Sequence, residues 1–373
     1  MSWNLDDKPI LVFWETTRAC DLACQHCRAS AIRVPPPDEL SYEEGLGVLD
    51  QIVEFGKPYP ILIMTGGDVL KRVRLWDTIA AARERGLTVA VSPSVTPNLT
   101  EDVLSRFLDM GVSAMSLSLD GADAVGHDAL RGVPGTWART VELAGHAARL
   151  GLRVQINTTV MKWNLRDLPT VFRLIKDQGV DIWEVFFLIH EGRGEHLEAA
   201  TAEECEGVCQ FLVESAGYGL TVRTVEAPFF RRVVAQQKAG SLEWTPLGKE
   251  LVADLHNQVG LPNKRPQSRS ALTRDGKGLV FVNYRGDVTP SGFLPVVAGN
   301  LREQHLASLY RDHPMFRALR SAGSFAGRCG DCEYRDLCGG SRSRAFTASG
   351  DYLGEDPACA FVPRGRATAG SAG

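Results

Sequence analysis

The chain lacks both long apolar segments and a strong excess of either charge. No run approaches the roughly 20 apolar residues that cross a bilayer, and the stretch from Met1 to Asp7 has neither the charged nor the apolar region of a signal peptide. Lys and Arg number 41 against 45 Asp and Glu, a net charge of −4, which provides no electrostatic attraction to nucleic acid or to an anionic membrane. We therefore expect a cytoplasmic protein with no nucleic-acid partner and no membrane partner.

Structural disulfides are not expected either. The chain has 9 cysteines, and a reducing cytoplasm keeps thiols free. All but two of them fall into two closely spaced groups, one near each end of the chain. Clustered thiols in such a compartment indicate metal binding.

The amino-terminal group consists of Cys20, Cys24 and Cys27, just after an apolar stretch at residues 10–14. Three thiolates at this spacing can hold three irons of a cubic [4Fe-4S] cluster and leave the fourth iron free to bind a small molecule. An iron without a protein ligand implies that the cluster takes part in a reaction. The spacing alone leaves three alternatives: a zinc site with one ligand missing, a disulfide pair, or chance.

The carboxyl-terminal group consists of Cys329, Cys332, Cys338 and Cys359. Four thiolates form a complete coordination set. By chemistry alone this group is predicted to hold either structural zinc or a fully ligated [4Fe-4S] cluster.

Six short apolar or β-branched runs, each followed by a helical pattern, predict strands joined by helices. This alternation is typical of a parallel sheet, and we expect the α/β class with a partial (β/α)6 TIM-type barrel. In such barrels reactive groups collect at the carboxyl ends of the strands. The cysteine motif and three polar motifs follow these runs and are expected to share one mouth. The predicted strands are 10–14, 61–64, 88–91, 114–119, 154–160 and 183–189.

The three amino-terminal cysteines, followed by Gly66 and Gly67 at the second strand end, give the chain a pattern that resembles radical S-adenosylmethionine (AdoMet) enzymes. The resemblance covers most of the chain. It implies that the fourth iron chelates the amino and carboxylate groups of AdoMet. It also implies that one electron from the cluster cleaves AdoMet to methionine and a 5′-deoxyadenosyl radical, which takes a hydrogen atom from the substrate.

The resemblance also implies cofactor-binding residues. Gly66, Gly67 and Asp68 match the family's Gly-Gly-Glu segment, with an acidic side chain that is one methylene shorter here. Glycines allow backbone carbonyls to approach the cofactor ammonium. Polar groups that meet the ribose, the adenine or the methionine carboxylate are expected at Ser118, Arg131 and Asn157. Ordinary alternatives are a tight turn for the glycines, a surface ion pair for the arginine and a satisfied strand-end amide for the asparagine.

The second cysteine group resembles the carboxyl-terminal SPASM extension of many radical AdoMet enzymes. There, the same spacing ligates an auxiliary cluster, so the resemblance favours iron and sulfur over zinc. Ser291 and Ser341 stand where the extension usually has further cysteines, and a hydroxyl is a poor iron ligand beside a thiolate. We therefore predict two [4Fe-4S] clusters, one catalytic and one auxiliary.

Four regions are expected along the chain. Residues 1–200 form the radical AdoMet barrel, and 201–276 form a helical connecting region with a polar loop. Residues 277–363 form the small SPASM-like iron–sulfur domain, which opens with a hairpin. Residues 364–373 are small and polar and are predicted to be a disordered tail.

An auxiliary cluster in related enzymes accepts an electron from a substrate radical or holds the substrate, and both roles imply net oxidation. Oxidative decarboxylation, dehydrogenation and cross-linking all fit. The pattern is closest to the branch that includes haem and haem d1 biosynthesis enzymes. Only 19 residues precede Cys20, too few for a leader-binding domain, which favours a small molecule or cofactor precursor over a ribosomal peptide. An electron donor such as flavodoxin or ferredoxin is expected.

Basic residues in the polar loop are candidates to meet substrate carboxylates, although a solvated loop is the ordinary interpretation. A non-catalytic iron–sulfur electron carrier is a further alternative to an enzyme. These loop residues are Lys264, Arg265, Arg269 and Arg274.

Overall fold

The computed structural model describes residues 3–264 and 273–364. Arg265, Arg269 and the tail from residue 365 onward lie outside this range. The strands of the described part are β1 (Leu11–Thr17), β2 (Ile61–Gly66), β3 (Val89–Val91), β4 (Ala114–Ser118), β5 (Val154–Val160), β6 (Ile182–Phe187), β7 (Thr221–Val225), β8 (Leu279–Val282), β9 (Asp287–Thr289) and β10 (Gly299–Asn300).

The α-helices of the described part alternate with these strands up to β7. They are α1 (Tyr42–Val53), α2 (Leu75–Glu84), α3 (Glu101–Asp109), α4 (Ala124–Arg131), α5 (Thr136–Arg149), α6 (Leu168–Asp177), α7 (Ala202–Ser215), α8 (Phe230–Ala239), α9 (Pro246–Val259), α10 (Leu306–Asp312), α11 (Pro314–Arg320), α12 (Gly327–Asp331) and α13 (Arg342–Ser349).

The strands form one sheet in the order β10-β9-β8-β1-β2-β3-β4-β5-β6-β7. Strands β1 to β7 are parallel, and β8 adds a further parallel strand beside β1. The predicted partial barrel of α/β class is therefore confirmed, with two more parallel strands than the six predicted. The extra strands are β7, which interrupts a helical stretch, and β8, which sequence reasoning treated only as half of a hairpin. That hairpin is present, because β9 pairs with β8 in antiparallel register.

Alternating side chains of β1 separate the barrel interior from the helical layer. Val12 and Trp14 are fully buried against the helices, whereas Leu11 and Phe13 line a cavity inside the barrel. This alternation follows from the two-residue period of a strand. The outward-facing side chains of β1 pack into the hydrophobic core, and the inward-facing ones line the cavity.

The first crossover helix begins as predicted. The Ser41 hydroxyl accepts from the Glu44 N–H at 3.1 Å, and the Glu44 carboxylate accepts from the Ser41 N–H at 2.7 Å, so α1 opens with a capping box. Among the described residues, no helix combines the length and apolar composition needed to cross a bilayer.

Candidate active site

A cavity of about 700 Å³ fills the inside of the barrel and reaches the carboxyl ends of the strands, where parallel barrels carry their reactive groups. Its volume lies in the range of pockets that enclose organic ligands. All predicted cofactor residues except Asp68 line this one space. They are Cys20, Cys24, Cys27, Gly66, Gly67, Ser118, Arg131 and Asn157.

The three amino-terminal thiols are free and lie at the cavity wall. Each sulfur has a nearby N–H donor: Leu22 N at 3.4 Å from Cys20, Ala31 N at 3.5 Å from Cys27, and Arg131 Nη1 at 3.7 Å from Cys24. Donors of this kind stabilise thiolate ligands and tune an iron–sulfur cluster. The three thiols therefore fit an open cluster that faces the cavity.

The loop that carries these cysteines, residues 18–32, is held by a residue that sequence reasoning missed. Arg193 donates from Nε to the Cys24 carbonyl at 2.8 Å and from its backbone N–H to the Cys27 carbonyl at 3.1 Å. It follows Gly192, at which an added Cβ would lie 2.2 Å from the Arg28 carbonyl. A glycine next to an arginine after the sixth strand was the available signal.

At Gly66 and Gly67 the backbone passes so close to the backbone that leads into the cysteine loop that a larger residue would clash. The Gly67 N–H donates to the Thr17 carbonyl at 2.8 Å. A Cβ added at Gly66 would lie 2.3 Å from that carbonyl, and one at Gly67 would lie 2.4 Å from the Ala19 carbonyl. The turn therefore sets the position of the cysteine loop as well as lining the cavity.

Asp68 is placed differently from the sequence expectation of a cofactor contact. Its side chain is fully buried and is not part of the cavity wall. The carboxylate accepts from Leu70 N at 3.1 Å, Ser94 N at 3.3 Å and Thr96 Oγ1 at 2.9 Å. Burial raises the pKa of Asp68. The group anchors the segment after β3, whose Ser94 hydroxyl donates to the Gly67 carbonyl at 2.6 Å.

Arg131 lies between Asp120 and the cysteine loop. It pairs with the buried Asp120 carboxylate, while its Nε is buried without a hydrogen-bond partner in the described structure. Burial acts to raise the pKa of Asp120, but the Arg131 guanidinium and two histidines outweigh it and lower that pKa to about 2. One edge of the guanidinium is thus fixed by a permanent anion, and the side chain remains on the cavity wall.

His127 is buried and His26 is half-buried next to this ion pair, and both line the cavity. Burial, and then the Arg131 charge, lower the pKa of each to about 4, so both imidazoles are neutral at pH 7. His127 Nδ1 accepts from the Asp120 N–H at 3.1 Å. His26 Nδ1 is buried without a partner among the described groups, so it is available to a ligand.

The four carboxyl-terminal thiols surround a small cavity of their own. Backbone N–H groups of Tyr334, Gly340 and Asp356 each lie 3.4 Å from one of the sulfurs. Donors of this kind stabilise thiolate ligands, so the four thiols fit a metal centre, either a [4Fe-4S] cluster or zinc.

Ser291 and Ser341, which replace the expected cysteines, meet Ser343 and two buried carboxylates that sequence reasoning missed. Ser343 Oγ lies 3.0 Å from Glu226 Oε1, 3.1 Å from Asp275 Oδ2 and 3.3 Å from Ser291 Oγ. One hydroxyl hydrogen cannot serve two carboxylates. Burial, and then the Asp275 charge, raise the pKa of Glu226 well above its usual value, which favours the neutral form of this carboxyl group.

The cavity wall is positively charged overall. Its acidic residues are Glu184, Glu226 and Asp275, and burial raises the pKa of the first two. Arginines outnumber these acids, so the cavity favours an anionic ligand. The lining arginines are Arg28, Arg131, Arg193, Arg223, Arg231 and Arg274.

Comparison with known proteins agrees with this geometry. The sequence matches the Radical SAM superfamily over residues 14–175. It is 34% identical over 361 residues to the AdoMet-dependent heme synthase of Nitratidesulfovibrio vulgaris, covering 95% of this chain and 93% of that protein. The chain belongs to the radical SAM superfamily. As a member, it is an enzyme that uses a [4Fe-4S] cluster together with AdoMet.

Other relatives place this radical SAM enzyme in the haem branch. It is 33% identical over 360 residues to the AdoMet-dependent heme synthase of Methanosarcina barkeri, covering 96% of this chain and 98% of that protein. It is 27% identical to the pre-heme d1 synthase of Dinoroseobacter shibae, covering 94% and 86%. The structure of Streptococcus suis SuiB bound to S-adenosylmethionine has the same fold, with a TM-score of 0.70 and 15% identity over 95% of this chain and 78% of SuiB.

Proposed function

We propose that this enzyme converts propionate side chains of an iron tetrapyrrole to vinyl groups by oxidative decarboxylation, as an AdoMet-dependent haem synthase. The observation that carries the proposal is the arginine-rich cavity next to the three-cysteine loop in a chain 34% identical to such a synthase. Haem carries vinyl groups, and a vinyl group results when a propionate loses a hydrogen atom, carbon dioxide and one electron. An anionic substrate matches the charge of the wall.

The cluster held by Cys20, Cys24 and Cys27, with AdoMet bound, would supply the 5′-deoxyadenosyl radical that removes the hydrogen atom. The chain's own residues position and shield this chemistry. Arg193 and the Gly66-Gly67 turn fix the cysteine loop. Ser118, Asn157 and Arg131 are proposed to contact the cofactor, since they line the same space.

The electron that leaves the substrate needs an acceptor. We assign this role to an auxiliary [4Fe-4S] cluster held by the carboxyl-terminal cysteines in a SPASM-like domain, consistent with the small cavity between them. Reduction of the catalytic cluster requires an external donor, for which a flavodoxin or ferredoxin is proposed. Such low-potential donors and oxygen-sensitive clusters are compatible with a cytoplasmic location.

The test is product analysis under anaerobic conditions. The reconstituted enzyme is incubated with AdoMet, dithionite and iron coproporphyrin, an iron tetrapyrrole that carries propionates where haem carries vinyl groups. For each converted side chain, the product should have lost one carbon dioxide and two hydrogens. One molecule of 5′-deoxyadenosine should form for each side chain converted. Formation of 5′-deoxyadenosine with an unchanged tetrapyrrole would refute the substrate assignment.

A further inference from the structure

Two arginines of the cavity wall lie against the second cysteine site. Arg231 Nη1 lies 3.4 Å from the Leu337 carbonyl, and a Cβ built on Gly339 would lie 3.0 Å from Arg274 Nη1. Leu337 and Gly339 are the two neighbours of Cys338 in sequence. The two guanidiniums therefore lie where the cavity approaches the proposed auxiliary cluster.

Neither guanidinium has a carboxylate partner among the described residues. Arg231 Nη2 donates to the Thr273 carbonyl, and Arg274 donates weakly to the Leu319 and Arg320 carbonyls, both at 3.3 Å. Arg274 Nη1 is buried and has no hydrogen-bond partner in the described structure. The pair thus retains unused donors.

Two other arginines of the cavity wall are already paired with carboxylates. Arg28 pairs with Glu15 at 3.2 Å, and Arg131 pairs with Asp120. The second cysteine site has a cation of its own, because Arg342 Nη2 lies 3.5 Å from the Cys329 sulfur. Each proposed cluster thus already has a neighbouring arginine, Arg131 at the first and Arg342 at the second. Arg231 and Arg274 are therefore not needed to balance the charge of either cluster.

Arg274 is buried and Arg231 is half-buried, and two neighbouring cations with no carboxylate partner repel each other. Burial, and then the Arg231 charge, lower the pKa of Arg274 to about 10, and burial lowers the pKa of Arg231. A carboxylate entering from the cavity would relieve this repulsion, and its two oxygens match the fork of a guanidinium.

We propose that Arg231 and Arg274 form a carboxylate subsite that holds a propionate of the substrate where the cavity meets the second cysteine site. The inference rests on the proposed function, since it assumes a propionate-bearing substrate. A substrate anchored there has its ring next to the group proposed to accept its electron. Orientation of this kind is what positioning residues contribute to catalysis.

The test compares the binding of iron coproporphyrin and of its methyl ester, which lacks the anionic groups, to the cluster-loaded enzyme. Arg231→Gln and Arg274→Gln should each weaken binding of the acid by about 10-fold or more, the usual effect of losing a charged hydrogen bond, and leave ester binding unchanged. Arg274→Lys should recover part of the affinity, because the charge remains while the fork is lost.

The matched control is Arg173→Gln. Arg173 lies in α6 with 40% of its side chain exposed, and it lines neither the barrel cavity nor the small cavity of the second cysteine site. This variant should bind the acid as the wild type does. Iron content and thermal unfolding are measured first for every variant. If Arg274→Gln fails to fold, Arg231→Gln and Arg274→Lys decide the question.

Three results would overturn the subsite: unchanged acid binding in the variants, equal loss for acid and ester, or a shift of the cluster potential without a change in binding. Wild-type enzyme that converts the tetrapyrrole while the variants bind it normally would refute the subsite alone. Wild-type enzyme that neither binds nor converts the acid would refute the proposed function and the subsite with it.

Discussion

Gly67→Ala tests how the strand-end turn sets the position of the cysteine loop. A Cβ at this position would lie 2.4 Å from the Ala19 carbonyl oxygen, whereas real Cβ atoms essentially never approach closer than 3.0 Å. The two backbones must therefore separate by about 0.6 Å, the difference between these distances. Gly67 does not have a positive φ, so the effect is steric and does not come from the conformational preference of alanine.

The magnitude has two parts. Overpacking of this kind costs about 1–3 kcal/mol of stability. The separation also moves the loop that carries Cys20 relative to the glycine turn, and a displacement of about 1 Å at a reacting centre can cost about 100-fold in rate. We expect lower iron content, weaker AdoMet binding and a cleavage rate reduced 10- to about 100-fold.

Gly47→Ala is the matched control. Gly47 lies inside α1, and a Cβ there would have no atom within 4 Å. The substitution should stabilise the protein by about 0.5–1 kcal/mol, because alanine favours a helix interior, and leave AdoMet cleavage unchanged. The assays are iron analysis, equilibrium AdoMet binding, thermal unfolding and 5′-deoxyadenosine release. If Gly67→Ala matches Gly47→Ala within twofold in all activity measures, the steric account is refuted.

Three further predictions concern buried groups. Because burial and Arg131 lower the pKa of His127 to about 4, the unfolded chain takes up a proton below pH 6.5 and the folded chain does not. Stability should thus fall by about 1.4 kcal/mol more between pH 7.5 and 5.5 in the wild type than in His127→Asn, and equal pH slopes in denaturant unfolding would contradict this. Glu226→Gln should change stability by less than about 1 kcal/mol, since burial and Asp275 raise the pKa of Glu226 and favour its neutral form, whereas Asp275→Asn should cost about 1–3 kcal/mol; a large loss in the first variant would show that Glu226 is ionised. Cys338→Ser should remove about one cluster's worth of iron and block tetrapyrrole conversion but retain AdoMet cleavage, and iron content equal to that of the wild type would show that the second site holds no cluster.

The barrel could be predicted from the sequence because its signals are local. Each of the first six strands is a short apolar run bounded by a helical pattern, and the Ser41 capping box marks the start of α1 within the chain itself. β8 could not be placed, because its pairing with β1 joins residues about 270 positions apart and a four-residue apolar run does not identify its neighbour. The hairpin turn that follows it was the stronger local signal.

In the candidate site, too, local patterns could be predicted from the sequence, whereas contacts between distant segments could not. Cys20, Cys24 and Cys27 were identifiable because the chemistry depends on their spacing within one loop. Asp68 was expected at the cofactor, but its three donors come from segments that fold onto it, and no sequence pattern records that burial. Glu226 and Asp275 were missed because these two carboxylates and the serine that contacts both, Ser343, are distant in sequence and meet only in the folded chain.

The most direct measurement is 5′-deoxyadenosine release by the anaerobically reconstituted enzyme with AdoMet and dithionite. Our account predicts methionine and 5′-deoxyadenosine in equal amounts from the wild type. It predicts none from Cys24→Ala, which lacks one of the three proposed ligands. Wild-type enzyme with both clusters intact that forms no 5′-deoxyadenosine, or a Cys24→Ala variant that forms as much as the wild type, would contradict it.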